Sequence, residues 1–377
     1  MREYLLCLLA AAAVTYLFTP LARATALKIK AVAEVRDRDV HAEPTPRLGG
    51  LAMFAGLLAG LLLASKLKMM SAVFVDGANI PIALISAAAI IVALGIIDDR
   101  WGLDGPTKLA GQVLAASVMA LQGITVVWLP IAGTIVLDPA TSVLLTVLIV
   151  VVSINAINFI DGLDGLAAGI VMIAAIVFFV YSYLLSVELD FTRATMPTLI
   201  SALLIGMTLG FLPHNFFRAR VFMGDTGSML LGLLLAACTI TLSGQFDPSA
   251  LEGGTLLPAL LPILLPVAVL AVPLIDVVLA VVRRTRRGRS PFAPDKQHLH
   301  HRLLEIGHSQ RRAVVLMYAW TAVVAATALA LAFVAVPWAI LFFVVGMAGL
   351  ATAVFWPMAT RRRVDLETAS PGTGTGG

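Results

Sequence analysis

Long apolar stretches separated by short polar breaks make up nearly the whole chain. A helix that crosses a bilayer needs about 20 predominantly apolar residues. Eleven such stretches can be read, near 3–22, 48–64, 80–97, 109–128, 140–157, 165–185, 197–212, 226–243, 257–282, 313–335 and 338–357. The pattern predicts an all-α polytopic membrane protein of about eleven transmembrane helices, with one integral membrane domain over 1–360. The first stretch lacks a convincing small-residue cleavage site and runs directly into charged residues, so it reads as a span and not as a signal peptide. Residues 129–139, LPIAGTIVLDP, place turn residues around a β-branched core and predict a small hairpin at the membrane surface. The prolines of LLPALLPILLPVAVLAVPLID predict a kinked helix within 257–282 that could wall a lipid groove. Glycine, threonine and serine take over after Arg363, so 361–377 is expected to be a disordered tail.

Composition excludes a soluble fold. Apolar residues make up 60% of the chain and charged residues 13%, against about 25% charged in an ordinary globular protein. With a mean hydropathy of +0.97, these side chains cannot all be hidden inside a water-facing particle. Cys7 and Cys238 both fall in apolar runs and form no disulfide or zinc pattern.

Charge then orients the spans. With Met1 outside, the inner segments hold 22 of the 26 Lys and Arg residues; only Arg2, Lys66, Lys68 and Arg193 fall outside. The positive-inside rule therefore predicts an outer N-terminus and a cytoplasmic C-terminus. The net charge of +4 is a topology signal and gives no support to nucleic-acid binding.

The acids are the informative residues. Asp98 and Asp99 end the third span (GIIDDRWGL), Asp161 and Asp164 open the sixth (NFIDGLDGLAAG), and Asp225 opens the eighth (VFMGDTGSMLLG), all on the predicted inner side. Asp164 and Asp225 suit helix N-terminal caps, a role that would explain either one alone. The Asp98–Asp99 pair sits at a helix C-terminus, where the dipole is unfavourable and the two charges repel, so a cation is expected nearby. Hard oxygen ligands without cysteine suit Mg²⁺, with Mn²⁺ as the alternative, held together with substrate phosphate oxygens. Gly162, Gly165, Gly224 and Gly227 flank the acids and allow close backbone approach.

Basic and imidazole groups complete the predicted inner face. His298, His300 and His301 cluster beside Lys296 and Arg302 in KQHLHHRL. They are candidates for substrate-phosphate contact ahead of zinc binding, for which no further ligand set is evident. Asp276 lies inside the ninth span and needs a partner, for which Arg283 and Arg284 are candidates. Arg47, before Gly49 and Gly50 in HAEPTPRLGG, brings a charge to the start of the second span and is a candidate for substrate contact or for a rigid loop.

In the order PTPRLGG, GIIDD, NAINFIDGLDGLAAG, NFFRARVFMGDTGS, PLIDVVLAVVRR and HLHHRL, the chain resembles the polyprenyl-phosphate N-acetylhexosamine-1-phosphate transferases, membrane enzymes of bacterial cell-envelope synthesis. The resemblance implies transfer of a hexosamine 1-phosphate from a UDP-sugar donor to a polyprenyl phosphate acceptor, with release of UMP. It also implies Mg²⁺ dependence and a multi-pass plasma (inner) membrane location with the active site facing the cytoplasm; a homodimer is compatible with it. By resemblance Asp225 is the metal ligand, and Asp98 deprotonates or positions the lipid phosphate with Asp99 beside it. Asn158, Asp161 and Asp164 match the donor and catalytic acidic motif. Asn215 and Phe222 match nucleotide contacts, Phe222 offering a face for uracil. His300 and His301 match the histidine motif near the donor phosphates or sugar.

The branch that transfers a pentapeptide-bearing sugar typically carries a lysine shortly after the paired aspartates and three consecutive histidines. Here Arg100 and Trp101 follow the pair, Lys108 is the nearest lysine, and Leu299 interrupts the imidazoles. The chain therefore looks more like the branch that uses UDP-N-acetylglucosamine. Lys108, Arg302 and the histidines are expected to neutralise charge on the donor diphosphate. Direct attack by the lipid phosphate is preferred to a covalent phospho-aspartate, with both compatible with the residues. A transporter, the rival of a different class, should carry its acids near the midplane; no internal repeat supports one.

Overall fold

Ten of the eleven apolar stretches are helices in the computed structural model, which describes residues 1–32, 45–76, 79–129, 135–188, 195–244 and 308–369, with isolated positions between 260 and 288. The elements in chain order are α1 (Arg2–Ile29), α2 (Gly49–Ala64), α3 (Ser71–Asp76), α4 (Asn79–Trp101), α5 (Gly105–Leu121), β1 (Trp128–Leu129), β2 (Ile135–Val136), α6 (Pro139–Ile160), α7 (Leu166–Glu188), α8 (Met196–Asn215), α9 (Gly224–Ser243), α10 (Gln310–Phe333) and α11 (Val336–Ala369). Eight of these helices, α1, α4 and α6 to α11, are long and apolar enough to cross a membrane, whereas α2 has 16 residues and α5 has 17. The expected ninth span, 257–282, lies outside the described residues apart from isolated positions.

Capping chemistry explains where several boundaries depart from the apolar runs. The expected span at 109–128 begins earlier, at Gly105, because Pro106 suits the first helical turn. It stops at Leu121, where Gly123 adopts φ +106° and the β-branched residues that follow run extended into β1. Helix α1 continues through Pro20 to Ile29, seven residues past the expected end, and closes on Lys30 in the left-handed region with its N–H on Ala26 and Leu27 carbonyls. Asp138 caps α6 by accepting from the Ala140 and Thr141 amides at 3.1 Å. Helix α11 is assigned as far as Ala369, over the first nine positions of the stretch expected as a tail, and 370–377 lie outside the described residues.

The hairpin forms as expected. Trp128 pairs with Val136 and Leu129 with Ile135 in antiparallel register, and 130–134 lie outside the described residues. Two hydroxyls of α6 hold its base: Thr146 accepts from the Val126 N–H at 2.9 Å, and Ser142 donates to the Val126 carbonyl at 2.6 Å.

Helix α9 occupies the centre, packed against α2, α4, α6, α7 and α8, with 94% of its apolar window buried. At the other extreme α11 packs on α10 and presents Trp338, Ile340, Leu341, Phe342 and Val345 outward. An apolar outer surface of this kind suits hydrocarbon as solvent. The start of α9 is clamped by α2: the Gly49 and Gly50 N–H groups donate to the Phe222 and Met223 carbonyls, each at 3.0 Å. A Cβ on Gly50 would overlap the Gly227 backbone, so only glycine permits this approach.

Candidate active site

The C-terminal ends of α4, α6 and α8 and the N-terminal ends of α2, α5 and α9 meet at one end of the bundle. That convergence gathers residues lying far apart in the chain. Lys108, in the first turn of α5, places its Nζ 2.8 Å from Asp98 Oδ2 of α4 and 2.7 Å from Asp225 Oδ1 of α9. A lysine of the chain itself is therefore one cation beside Asp98. Asp98 Oδ1 also accepts from the Leu103 N–H at 2.7 Å, which closes the tight connection between α4 and α5. Asn158, in the last turn of α6, donates through Nδ2 to Asp225 Oδ1 and to Ser228 Oγ, the latter at 2.8 Å.

Asp99 has a different surrounding from Asp98. It is turned toward the N-terminus of α9, where Oδ1 accepts from the Asp225 N–H at 3.0 Å and Oδ2 accepts from the Thr226 N–H at 3.1 Å and hydroxyl at 2.7 Å. These amides are among those that no intrahelical carbonyl can satisfy. The residue that opens α9 is Gly224 at φ +69°, and the Asp99 carboxylate fills the space where a side chain would sit. Asp225 thus lies in the first turn of a helix capped by another helix's carboxylate, which differs from the expectation that Asp225 is itself a cap.

Asp161 and Asp164 fall in the turn between α6 and α7, so neither opens a helix. Asp164 is buried, and its Oδ2 accepts from the Ala219 N–H at 3.0 Å, tying that turn to the connection between α8 and α9 in place of the expected cap. Asp161 is half-buried, with its carboxyl largely shielded from solvent by the surrounding chain. Burial pushes its carboxyl up to about 8, the charges of Asp225 and Asp99 add to the shift, and Arg47 opposes it. Arg47 anchors its backbone just beyond the end of α1, through an N–H bond to the Ala31 carbonyl at 3.0 Å.

Asn215 and Phe222 were expected as nucleotide contacts. Asn215 is 3% exposed and commits its amide internally, accepting from the Gly165 N–H at 3.0 Å and donating to the Val221 carbonyl at 2.9 Å. It staples the acidic turn to the connection before α9. Phe222 is half-buried beside this staple, its N–H on the Pro46 carbonyl at 2.8 Å. His298, His300, His301 and Arg302 lie outside the described residues.

Several residues at this end were not singled out from sequence. Thr226 and Ser228 hold the carboxylate and amide groups just described, and the Tyr318 hydroxyl of α10 donates to the Gly165 carbonyl. Gln112 and Asn155 join side chains one turn deeper, at 2.7 Å. Primary amides inside apolar helices were the signal for this last pair, since a polar group within a span needs a partner.

The donor set suits a hard divalent ion. Asp98 and Asp225 offer carboxylate oxygens to one cationic atom, and Lys108 already sits between them as a positive charge. Among the described residues, no three His, Cys, Asp or Glu residues are grouped to hold a metal. Two carboxylates completed by phosphate oxygens is an arrangement that Mg²⁺ commonly adopts.

Comparison with known proteins places this arrangement in a family. The Glycosyl transferase family 4 model matches residues 81–243, a range that contains every described acid of the site. The chain is similar to the decaprenyl-phosphate N-acetylglucosaminephosphotransferase of Mycolicibacterium smegmatis, with 50% identity over 330 residues, covering 86% of this chain and 81% of that protein. The enzyme of the same name from Mycobacterium leprae is 47% identical, with coverage of 86% and 83%. The undecaprenyl-phosphate alpha-N-acetylglucosaminyl 1-phosphate transferase of Escherichia coli is 28% identical over 316 residues, with coverage of 80% and 77%. Identity at this level over most of both chains means that this chain belongs to the polyprenyl-phosphate N-acetylhexosamine-1-phosphate transferase family.

Proposed function

We propose that the protein transfers N-acetylglucosamine 1-phosphate from UDP-N-acetylglucosamine to a membrane polyprenyl phosphate, giving UMP and polyprenyl-diphosphate-N-acetylglucosamine, the first lipid-linked intermediate of a cell-envelope polysaccharide. The relatives named for this transfer support the reaction. The observation that carries it to a location is Lys108 bridging Asp98 and Asp225, because it joins three helices into one charged site where two anionic substrates must meet.

In the reaction an oxygen of the lipid phosphate attacks the phosphorus attached to the sugar. A new P–O bond forms, the bond to the uridylyl phosphate oxygen breaks, and the electron pair leaves with UMP. Asp98 orients the acceptor phosphate and accepts a proton from it when it arrives protonated. Lys108 offsets the charge that develops on the oxygens as the bond to UMP breaks. Asn158 fixes the rotamer of Asp225, and Asp99 fixes the helix that carries it. Asp225 and Asp98 are the residues that would hold Mg²⁺, which supplies Lewis-acid neutralisation of the donor diphosphate. The Asn215 staple and Tyr318 hold the 161–165 turn against the site, where Asp161 and the half-buried Phe222 are placed for donor contact.

We assign this end of the bundle to the cytoplasmic side, with eleven spans and an outer N-terminus. The distribution of basic residues supports that orientation. Arg47, Arg100, Lys108, Arg218 and Arg220 all lie at or beside the helix ends that form the site.

Purified protein tests the proposal directly. It should release UMP from UDP-N-acetylglucosamine only when polyprenyl phosphate and Mg²⁺ are both supplied. Release without the lipid, or solute flux without turnover, would overturn it.

A further inference from the structure

Lys108, Asn158 and Asp225 stand on α5, α6 and α9. Gln112 lies four residues after Lys108, Asn155 three before Asn158, and Met229 four after Asp225. Helices α5 and α9 run away from the site whereas α6 runs toward it, so each step moves inward by about one turn, roughly 5 Å. These three deeper side chains also join one another. Asn155 Nδ2 donates to Gln112 Oε1 at 2.7 Å and to the Val151 carbonyl at 2.8 Å, and Gln112 Nε2 rests on Met229 Sδ at 3.5 Å. Lys108, Asn158 and Asp225 are therefore underlain by a neutral set built on the same three helices.

Packing does not account for the lower set. Gln112 is 1% exposed, and a leucine would fill such a site without needing a partner. A buried amide that loses its partner costs about 1–3 kcal/mol, so these amides cannot be exchanged singly as apolar fillers can. Their geometry gives them a use. One direct bond from α5 to α6 and one contact from α5 to α9 set the lateral spacing of the helices just below Lys108. Above them, Lys108 Nζ must reach two carboxylates on separate helices, at 2.8 and 2.7 Å. Misplacing a reacting group by about 1 Å can cost on the order of 10²-fold in rate.

We propose that Gln112 and Asn155 form a positioning pair that holds α5 and α6 at the spacing where Lys108 and Asn158 both reach Asp225. Neither residue touches the reacting atoms. The assignment rests on the transfer reaction proposed above.

The test exchanges the lengths of the two amides. Gln112→Asn shortens one partner and Asn155→Gln lengthens the other, and each should lower kcat for UMP release by about 10-fold. The double exchange restores the summed length and should bring kcat back to within about 3-fold of the parent. In a Lys108→Met background, Gln112→Asn should cost little more, because the group it positions is already gone. Single variants with parental kcat, a double variant no better than the worse single, or losses that multiply in the Lys108→Met background would each overturn the pair's role. A parent protein that fails to release UMP under the assay above would instead remove the reaction on which the assignment rests.

Discussion

Asp99 caps a helix to which it does not belong: its Oδ2 receives both the amide and the hydroxyl of Thr226, at 3.1 and 2.7 Å. With the Asp225 N–H on Oδ1, one side chain of α4 satisfies two otherwise orphaned amides of α9. The two adjacent aspartates thus do separate work. Asp98 faces the ammonium of Lys108, and Asp99 holds in place the helix that presents the opposing carboxylate.

That division predicts different phenotypes for neighbouring residues. Asp99→Ala leaves two buried amides unpaired at about 1–3 kcal/mol each, so the detergent-solubilised protein should melt several degrees lower. Asp98→Ala should melt much nearer the parent while losing turnover. Thermal unfolding followed by tryptophan fluorescence, alongside UMP release, separates the two. Equal melting shifts would contradict the division of labour.

Lys108→Met should lower kcat by roughly 10²-fold or more, since it removes a charge that a low-dielectric site cannot replace with water. Lys108→Arg should recover only part of the loss, because a planar guanidinium cannot take the point position between Asp98 and Asp225. Steady-state kinetics on both variants checks the order. Parental turnover in Lys108→Met would remove the residue from the mechanism.

Chelation should abolish UMP release, and Mg²⁺ or Mn²⁺ should restore it. Asp225→Asn should weaken Mn²⁺ binding measured by electron paramagnetic resonance, a readout independent of turnover, whereas Asp161→Asn should leave it nearly unchanged. Unaltered Mn²⁺ affinity in Asp225→Asn would place the ion elsewhere.

Asp161 predicts a pH-dependent stability. Its folded-state value of about 8 lies above the ordinary 3.8, so the folded state binds this proton more tightly than the unfolded chain. The contribution to stability is complete below about pH 4 and is lost as pH rises through 8. Asp161→Asn carries no such proton. Relative to the parent, it should gain stability between pH 5 and 9, and melting curves at both ends of that window test the sign.

Sequence alone revealed the eight described helices long enough to cross a membrane because lipid demands long apolar runs, and it located the acids because charges at span ends are costly. It was less informative about lateral contacts. Every face of a buried helix is apolar here, so no periodicity announces that α9 is central and α11 peripheral. The carboxylates also look alike in sequence. Asp98, Asp99 and Asp164 share a residue type and a depth, yet one faces Lys108, one caps α9, and one ties the turn to Ala219. Asn215 is a further case, since no feature of the sequence shows that its amide joins the Gly165 N–H to the Val221 carbonyl. Such assignments depend on which orphaned amide lies nearest, a property of the tertiary arrangement.

The enclosure of α9 bears on biosynthesis. Translation delivers α2, α4, α6, α7 and α8 to the bilayer before α9, yet these five surround it in the finished protein. The earlier helices must therefore leave a lateral gap through which the late arrival slides, closing behind it once Asp225 meets Lys108. A nascent chain halted after α8 would carry Lys108 and Asn158, described partners of that carboxylate, around an unfilled seam, so the bridge from Asp98 through Lys108 to Asp225 closes only when α9 enters this ring.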